Sequence, residues 1–215
     1  MIFDLDGTLV NFALDIKSVR QEAVKEIQKR GITINNYTNL NVYSMLEILR
    51  SYADERTFFS LKKSIWKIVE KYELIATNKV NIQPDALQIL TFIKKIGLKL
   101  AIVTNNGRKA TSIVIRKFRL DDFFDLVVTR EDVEKLKPDR WSIQKAVKIL
   151  GIESKEAIYI GDSVIDVLAA RKAKTISIAI PTGISSISEL VKTKPDYIIG
   201  SLQDMKVLLK FFSHN

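Results

Sequence analysis

Beyond about residue 80 the chain alternates two hydrophobic patterns. Short unbroken apolar runs read as strands: Lys99-Leu100-Ala101-Ile102-Val103-Thr104, Asp125-Leu126-Val127-Val128-Thr129, Ala157 to Ile160, Thr175 to Ile180 and Asp196 to Ile199. Between and after them, apolar residues at helical spacing predict helices over Arg108 to Phe118, Arg140 to Leu150, Val164 to Lys172, near Ile187 to Val191 and near Leu202 to Phe212. Strands that are apolar on both faces and alternate with helices predict an α/β fold, a parallel sheet with helices on both faces. The opening run Met1-Ile2-Phe3 adds a strand that ends in Asp4-Leu5-Asp6-Gly7-Thr8. In open parallel sheets the ligand site lies beyond the carboxyl ends of the strands. Asp4, Thr104 and Asp162 all fall at such ends.

Residues from about 12 to 80 follow a different rule. Ile16, Val19, Ala23, Val24 and Ile27 form one helical stripe, closed by Gly31. Val42, Met45, Leu46 and Leu49 form a second, and Leu61, Ile65, Ile68, Val69 and Tyr72 a third. Packing against one another accounts for most of these positions, and Trp66 reads as a core or half-buried helix residue. The stretch from Asn78 to Pro84 reads as a return linker, with Pro84 opening the next helix. The expected organisation is therefore a core of residues 1–12 and 80–215, with residues 13–79 inserted after the first strand as a small helical cap. So placed, the insertion can act as a lid over the strand ends.

Composition narrows the chemistry. The chain has 215 residues, nearly half of them hydrophobic, which fits one domain carrying an insertion. It has no cysteine, which excludes disulfides, zinc-thiolate sites and cysteine nucleophiles. No apolar run approaches a membrane span, and the first strand leaves no room for a leader, so a cytoplasmic protein without membrane contact is expected. The formal charge of +9 comes from lysines interspersed with acids along helices, as in Gln21-Glu22-Ala23-Val24-Lys25-Glu26. That pattern describes a solvated surface. Basic residues and aromatics do not interleave as stacking platforms do, so no nucleic-acid partner is expected. His214, the single histidine, reads as a tail residue.

The acidic strand ends carry the chemistry. Asp4 and Asp6 are matched far downstream by Tyr159-Ile160-Gly161-Asp162-Ser163-Val164-Ile165-Asp166. Carboxylates converging at neighbouring strand ends repel unless a cation is shared among them. Hard oxygen donors suit Mg²⁺, which commonly holds a phosphate at the same time. Phosphate monoesters hydrolyse very slowly alone, so a catalyst needs a positioned nucleophile and a means of neutralising the transferring group. Asp4 is the candidate nucleophile, forming an aspartyl-phosphate. Asp6 emerges on the same side of the strand, placed to protonate the leaving oxygen and then to activate water. Thr104-Asn105-Asn106-Gly107 joins a strand to a helix and offers a hydroxyl and N–H groups to a phosphate, with Thr104 and Asn105 as candidate binding residues. Lys137, in Lys135-Leu136-Lys137-Pro138-Asp139, could set a cation over the aspartate and phosphate charges, with Lys135 a nearby competitor. Asp162 is expected to hold the metal. Asp166 stands three residues after Ser163 as in a capping box, and could steady that turn while bonding Lys137 or a metal-bound water. A supporting role is favoured for it over direct ligation. Pro181-Thr182-Gly183 is a strand-to-helix turn near the site.

These residues resemble the motifs of the haloacid dehalogenase-like hydrolase superfamily, in the style of its phosphoglycolate phosphatase and β-phosphoglucomutase branch. Phe3-Asp4-Leu5-Asp6-Gly7-Thr8 corresponds to the first motif and Thr104 to the second. Lys137-Pro138 matches the third, and Gly161-Asp162-Ser163 through Asp166 the fourth. The resemblance implies a Rossmann-like core, phosphoryl transfer through Asp4, and Mg²⁺ bound by the Asp4 side chain, the Asp6 backbone carbonyl and Asp162. Dehalogenases of this fold lack the second aspartate, so Asp6 argues for phosphate chemistry. The chain departs from the usual pattern at three places. Asn11 stands where an acid is frequent, Trp141-Ser142 where a second proline is frequent, and Lys174 where a glycine closes the helix.

The expected activity is a Mg²⁺-dependent phosphatase acting on a small phosphorylated metabolite, phosphoglycolate phosphatase-like, with oligomeric state left open. Sugar phosphates, nucleotides and pyrophosphate are further candidate substrates. The alternatives are a phosphomutase, with Lys17, Arg20 and Arg50 as candidate cap residues, and a catalytically silent binding protein on the same fold.

Overall fold

A computed structural model describes residues 1–33 and 40–213. His214 lies outside the described residues. The chain forms two compact units, Met1–Phe12 with Val80–Asn215, and Ala13–Lys79.

The larger unit is built on a six-stranded sheet, all parallel, in the order β3-β2-β1-β4-β5-β6. The strands are β1 (Ile2–Phe3), β2 (Ala101–Val103), β3 (Leu126–Val128), β4 (Ile158–Gly161), β5 (Ile176–Ala179) and β6 (Tyr197–Ile198). The chain lays down β1 to β3 in one direction, then crosses back to place β4 on the other side of β1. The reversal makes the β1–β4 boundary the switch point, where connections diverge and leave a crevice at the strand ends. Ile2 pairs with Ala101 on one side and Tyr159 on the other, so the first strand is central and has no exposed edge. Its residues are fully buried, as the unbroken apolar run requires.

Helices of the larger unit follow the amphipathic stripes. Among them are α4 (Ala86–Lys95), α5 (Arg108–Lys117), α6 (Trp141–Leu150), α7 (Val164–Ala173), α8 (Ile187–Lys192) and α9 (Met205–Ser213), numbered after the three helices of the smaller unit. One core cluster joins Ile2, Val103, Val128 and Tyr159 of the sheet to Ile143, Val147 and Leu150 of α6 and to Ala169, Ala170 and Ala173 of α7. Two boundaries differ from expectation. Pro84 does not open α4; Asp85, in the left-handed conformation at φ 61°, separates it from Ala86. A short 3₁₀ turn, Leu202–Asp204, precedes α9, because Ser201 and Asp204 form a capping box there. At the end of α7 Lys174 adopts φ 60°, taking the conformation for which a glycine is usual.

The two chain segments bordering the insertion pair with each other. Asn11 N–H donates to Asn81 O (3.0 Å), Gln83 N–H donates to Leu9 O (2.8 Å), and Val10 and Ile82 form an antiparallel bridge. The Asn11 side chain accepts the Asn81 N–H, so an amide oxygen serves at that position to pin the paired segments.

The smaller unit contains α1 (Ile16–Gln28), α2 (Val42–Tyr52) and α3 (Glu55–Ala76). Ala23, Val24 and Ile27 pack with Met45, Leu46, Leu49, Leu61 and Ile65, and half-buried Trp66 lies against this cluster. Each helix begins on a side-chain cap: Asp15 accepts from Ser18 N–H, Asn41 from Ser44 and Asp54 from Thr57. Arg20 donates to Leu40 O (2.8 Å) and Arg50 stands 6.0 Å from the centre of the Phe58 ring, so both support this unit's own packing. Lys17 is exposed. No helix among the described residues is long and apolar enough to cross a membrane.

Candidate active site

Parallel pairing of β1 with β4 brings two acidic strand ends together. Asp4 follows β1 directly and its N–H donates to Ile160 O (2.9 Å), continuing the ladder one residue past the strand. Asp162 follows β4, one residue beyond the position across from Asp4. Ligand oxygens of Asp4, Asp162 and Asp166 lie within 4.8 Å of one another, and all three side chains are buried. The sequence separation of the first two exceeds 150 residues, and only the sheet closes it.

Two glycines make room for Asp162. Gly7 sits at φ +84°, closed to most side chains, and a Cβ built on it would collide with the Asp162 carboxylate. A Cβ on Gly183 would collide with the same carboxylate from the turn after β5. Ile184 N–H donates to Asp162 Oδ2 (2.9 Å) and the Thr8 hydroxyl to Oδ1 (3.2 Å). The Thr182 hydroxyl donates to Gly7 O (2.6 Å), tying the two turns together. Burial, then the Asp166 carboxylate, raises the Asp162 carboxyl to about 6.

Lys137 is the cation of the site. Its side chain is 2% exposed and meets the buried carboxylates, whereas Lys135 is exposed. Nζ lies 2.6 Å from Asp166 Oδ1, 2.8 Å from Asp4 Oδ1 and 2.8 Å from the Tyr159 hydroxyl, with Val103 O at 3.3 Å. Burial works to lower its pKa, but Asp166 and then Asp4 outweigh it and hold the ammonium above its ordinary range. For Asp4 burial is also the largest influence and pushes the carboxyl well up, Lys137 pulling it back and the neighbouring aspartates pushing further. The buried charges thus depend on one another.

Asp166 has both oxygens engaged. Oδ2 accepts from the Ser163 N–H (3.1 Å) and hydroxyl, closing the capping box that starts α7. Oδ1 accepts from Lys137 and from the Tyr159 hydroxyl (3.0 Å).

The loop after β2 divides its two asparagines. Asn105 spends its amide on the backbone of Lys137, donating to the carbonyl and accepting from the N–H, both at 3.0 Å. It therefore holds the lysine segment in place. Asn106 Nδ2 donates to Asp6 Oδ2 (2.6 Å), fixing the second aspartate apart from the Asp4–Asp162 cluster. Thr104 is buried and its oxygen accepts from Asn106 N–H (3.1 Å), which leaves the hydroxyl proton for another acceptor. Arg130 restrains the same loop: its guanidinium donates to Asn105 O (3.3 Å) and its N–H to Asn106 O (3.0 Å).

Sequence reasoning did not single out Asn106, Tyr159, Arg130 or Thr8. Thr8 and Asn106 stand within the quoted motifs, and a polar residue beside each chosen one was the available signal. Tyr159 sits in an apolar strand run, where a hydroxyl is easily read as core. Arg130 gives no local signal.

Carboxylates and a lysine gathered at the switch point of a parallel α/β sheet make a candidate site suited to group transfer. Residues 1–180 match the family of haloacid dehalogenase-like hydrolases, and the chain belongs to that family. The PpaX protein of Caldanaerobacter subterraneus subsp. tengcongensis is 30% identical over 98% of this chain and 92% of its own length. Pyrophosphatase PpaX of Bacillus cereus is 28% identical, covering 97% of this chain and 95% of the relative. Among solved structures, a hydrolase from Pseudomonas syringae superposes with a TM-score of 0.71 at 25% identity, over 97% of this chain and 96% of its own. With the family established, the chain is a phosphatase by class.

Proposed function

We propose that the protein is a Mg²⁺-dependent phosphatase that hydrolyses a small phosphorylated metabolite or pyrophosphate through a phosphoryl-enzyme on Asp4. The observation that carries this reading is the buried Lys137 Nζ 2.8 Å from Asp4 Oδ1, beside Asp162. A carboxylate so held presents one oxygen to the lysine and leaves the other for phosphorus.

The donor set fits a magnesium ion: buried hard oxygens, two glycines that let a carboxylate approach, and no sulfur or imidazole among the described residues of the cluster. Asp4 and Asp162 side chains with the Asp6 backbone carbonyl would hold it. The ion would supply charge neutralisation at the phosphoryl oxygens. Lys137 adds a fixed positive charge on the same side, and Thr104 offers its hydroxyl proton to a phosphate oxygen. Asp4 attacks phosphorus as the leaving oxygen takes a proton from Asp6. Asp6, held by Asn106, then accepts a proton from the water that releases phosphate. Asp166 acts through Lys137, and Asn105 acts by holding the lysine segment rather than by its own amide on substrate. The helical unit 13–79 is assigned the part of a cap that selects the substrate.

Pyrophosphate heads the substrate panel because a relative matched along nearly all of this chain carries that activity in its name. Phosphoglycolate, sugar phosphates and nucleotides follow. Phosphate release is measured with Mg²⁺ and with chelator. Turnover of at least one compound, lost with chelator, is expected. Asp4→Asn is expected to lower turnover by about 10⁴-fold or more while the far-ultraviolet spectrum is unchanged. Normal turnover by that variant removes Asp4 as nucleophile, and strict dependence on a bisphosphate primer reassigns the enzyme as a mutase.

A further inference from the structure

Tyr159 has no part in the mechanism above, yet its hydroxyl sits at the centre of the charged cluster. The side chain is 1% exposed on the central strand β4. Two residues on, on the same face, Gly161 has no Cβ; one built there would collide with Asp166. The glycine thus opens the space in which Asp166 reaches back over the strand toward the tyrosine oxygen.

An ammonium has three N–H donors. The three shortest contacts of Lys137 are Asp166 Oδ1, Asp4 Oδ1 and the Tyr159 oxygen. Since the phenol accepts from the lysine, its own proton points elsewhere. It lies 3.0 Å from Asp166 Oδ1 and 3.3 Å from Val103 O, and the carboxylate is the nearer and stronger acceptor. Asp166 then receives two donors on Oδ1, from Lys137 and Tyr159, and two on Oδ2, from Ser163. A carboxylate offers about four lone-pair directions in all. By distance alone Asp166 could join Asp4 and Asp162 around a cation. Its saturation is what withholds it.

We propose that the Tyr159 hydroxyl is a positioning group that keeps Asp166 on the lysine and off the metal. The proposal rests on the phosphatase reading for its kinetic consequence but not for its metal-binding one. Without the hydroxyl, Asp166 Oδ1 regains a free lone pair facing the cluster. Lys137 loses one acceptor, and its third N–H turns to Val103 O, away from the line between Asp166 and Asp4.

The test is Tyr159→Phe, which keeps the ring and its packing. Mg²⁺ binding is measured by calorimetry on the substrate-free protein, alongside kcat and KM. The expected result is Mg²⁺ bound at least threefold more tightly, kcat lowered about tenfold and KM within twofold of the parent. In an Asp166→Asn background the same substitution should no longer tighten Mg²⁺ binding, because the asparagine has no second carboxylate oxygen to release. Tyr159→Met serves if the phenylalanine variant does not fold. Unchanged Mg²⁺ affinity overturns the proposal, whatever happens to kcat. So does a fall in kcat that tracks a lowered melting temperature, since packing alone would produce it. If the parent protein binds Mg²⁺ but releases phosphate from nothing, the phosphatase reading fails while the calorimetric arm still decides the role of Tyr159.

Discussion

Polar groups do different work in the two units of this chain. In the helical unit the helix starts are held over short spans, Asp15, Asn41 and Asp54 each accepting an N–H from three residues further on, at 3.0, 2.8 and 3.0 Å. A long-range pair there, such as Lys71 with Glu22, lies exposed. In the sheet unit the polar contacts that matter join residues far apart in sequence, such as Thr8 with Asp162 and Asn106 with Asp6. Local caps satisfy helix ends and can be exchanged for one another at small cost. Long-range contacts between buried groups satisfy charges that water cannot reach, and their loss exposes the full desolvation penalty. The first kind builds a unit; the second builds a site.

Ion pairs give the sharpest break of this comparison. Lys71 and Glu22 in the helical unit lie 2.5 Å apart, but their side chains are 50% and 38% exposed. Lys137 bridges two buried carboxylates. Lys71→Met is expected to leave both stability and kcat nearly unchanged. Lys137→Met is expected to lower kcat by about 10³-fold and stability by about 3–5 kcal/mol, because two buried carboxylates lose their counter-charge. Urea denaturation and steady-state kinetics on both variants check the contrast. Equal losses in the two would show that burial does not separate the units.

How much of this was legible differs between the units for the same reason. The three stripes of the insertion read correctly because helical packing depends on spacing within a few residues. The strands and their order of appearance were equally readable, since a buried parallel strand is an unbroken apolar run. Asp4 and Asp162 could be singled out because charge at a strand end is conspicuous, whereas Lys137, in the loop before α6, stood out only beside its proline. The division of labour between Asn105 and Asn106 was not readable, as turn geometry alone sends one amide to Lys137 and its neighbour to Asp6. Nor was Tyr159, whose ring belongs to the core while its oxygen belongs to the charged cluster. Pro84 misled because a proline before a helix start reads like one within it, and Asp85 in the left-handed region moved the start onward.

A single methyl group should disturb the site more than many surface changes. Gly183→Ala places a Cβ against the Asp162 carboxylate, so either the carboxylate or the turn after β5 must move. Mg²⁺ affinity is expected to fall by about 10–100-fold, in the range seen when groups that orient metal ligands are altered. Calorimetry with Mg²⁺ checks it. An alanine at Gly97, where a Cβ meets nothing within 4 Å, carries the cost of a positive φ alone and should leave Mg²⁺ binding intact.

Acidity separates the units more gently. Asp162 is raised to about 6, so below that pH it is protonated in the metal-free protein, and on the proposed reading, with Asp162 as a metal ligand, Mg²⁺ would have to displace that proton. Apparent Mg²⁺ affinity should therefore fall as pH drops through 6, by at least about tenfold per unit once Asp162 is protonated, since the raised Asp4 carboxyl acts in the same direction. The same sign holds for stability: a carboxyl raised on folding binds its proton more tightly in the native state. Between the ordinary carboxylate range and about 6 this group makes the metal-free protein more stable as pH falls. Saturating Mg²⁺ should abolish that trend. The caps Asp15 and Asp54 are shifted the other way, lowered by hydrogen bonds from Ser18 and Thr57, and contribute stability that is lost as pH falls toward their own low pKa values.

The smallest expected effect tests whether the helical unit is a support that can be weakened without touching the chemistry. Asp54 caps α3 by accepting the Thr57 N–H and makes its contacts within one turn. Asp54→Ala removes one acceptor from the start of a 22-residue helix, which should lower stability slightly. Leu61 and Ile65 lie further along the same helix in the unit's apolar cluster, so the loss should appear as fraying of the first turn, with the packed centre intact. Amide exchange would then quicken over residues 55–58 and stay slow from Leu61 onward. Mg²⁺ affinity and kcat should remain within twofold of the parent, since the hydrogen bonds and ion pairs described above for Asp4, Asp162 and Lys137 are made with residues of the sheet unit. A large fall in kcat from this exposed cap would mean that the order of α3 itself is coupled to turnover, and the division between a unit built by local contacts and a site built by distant ones would have to be redrawn.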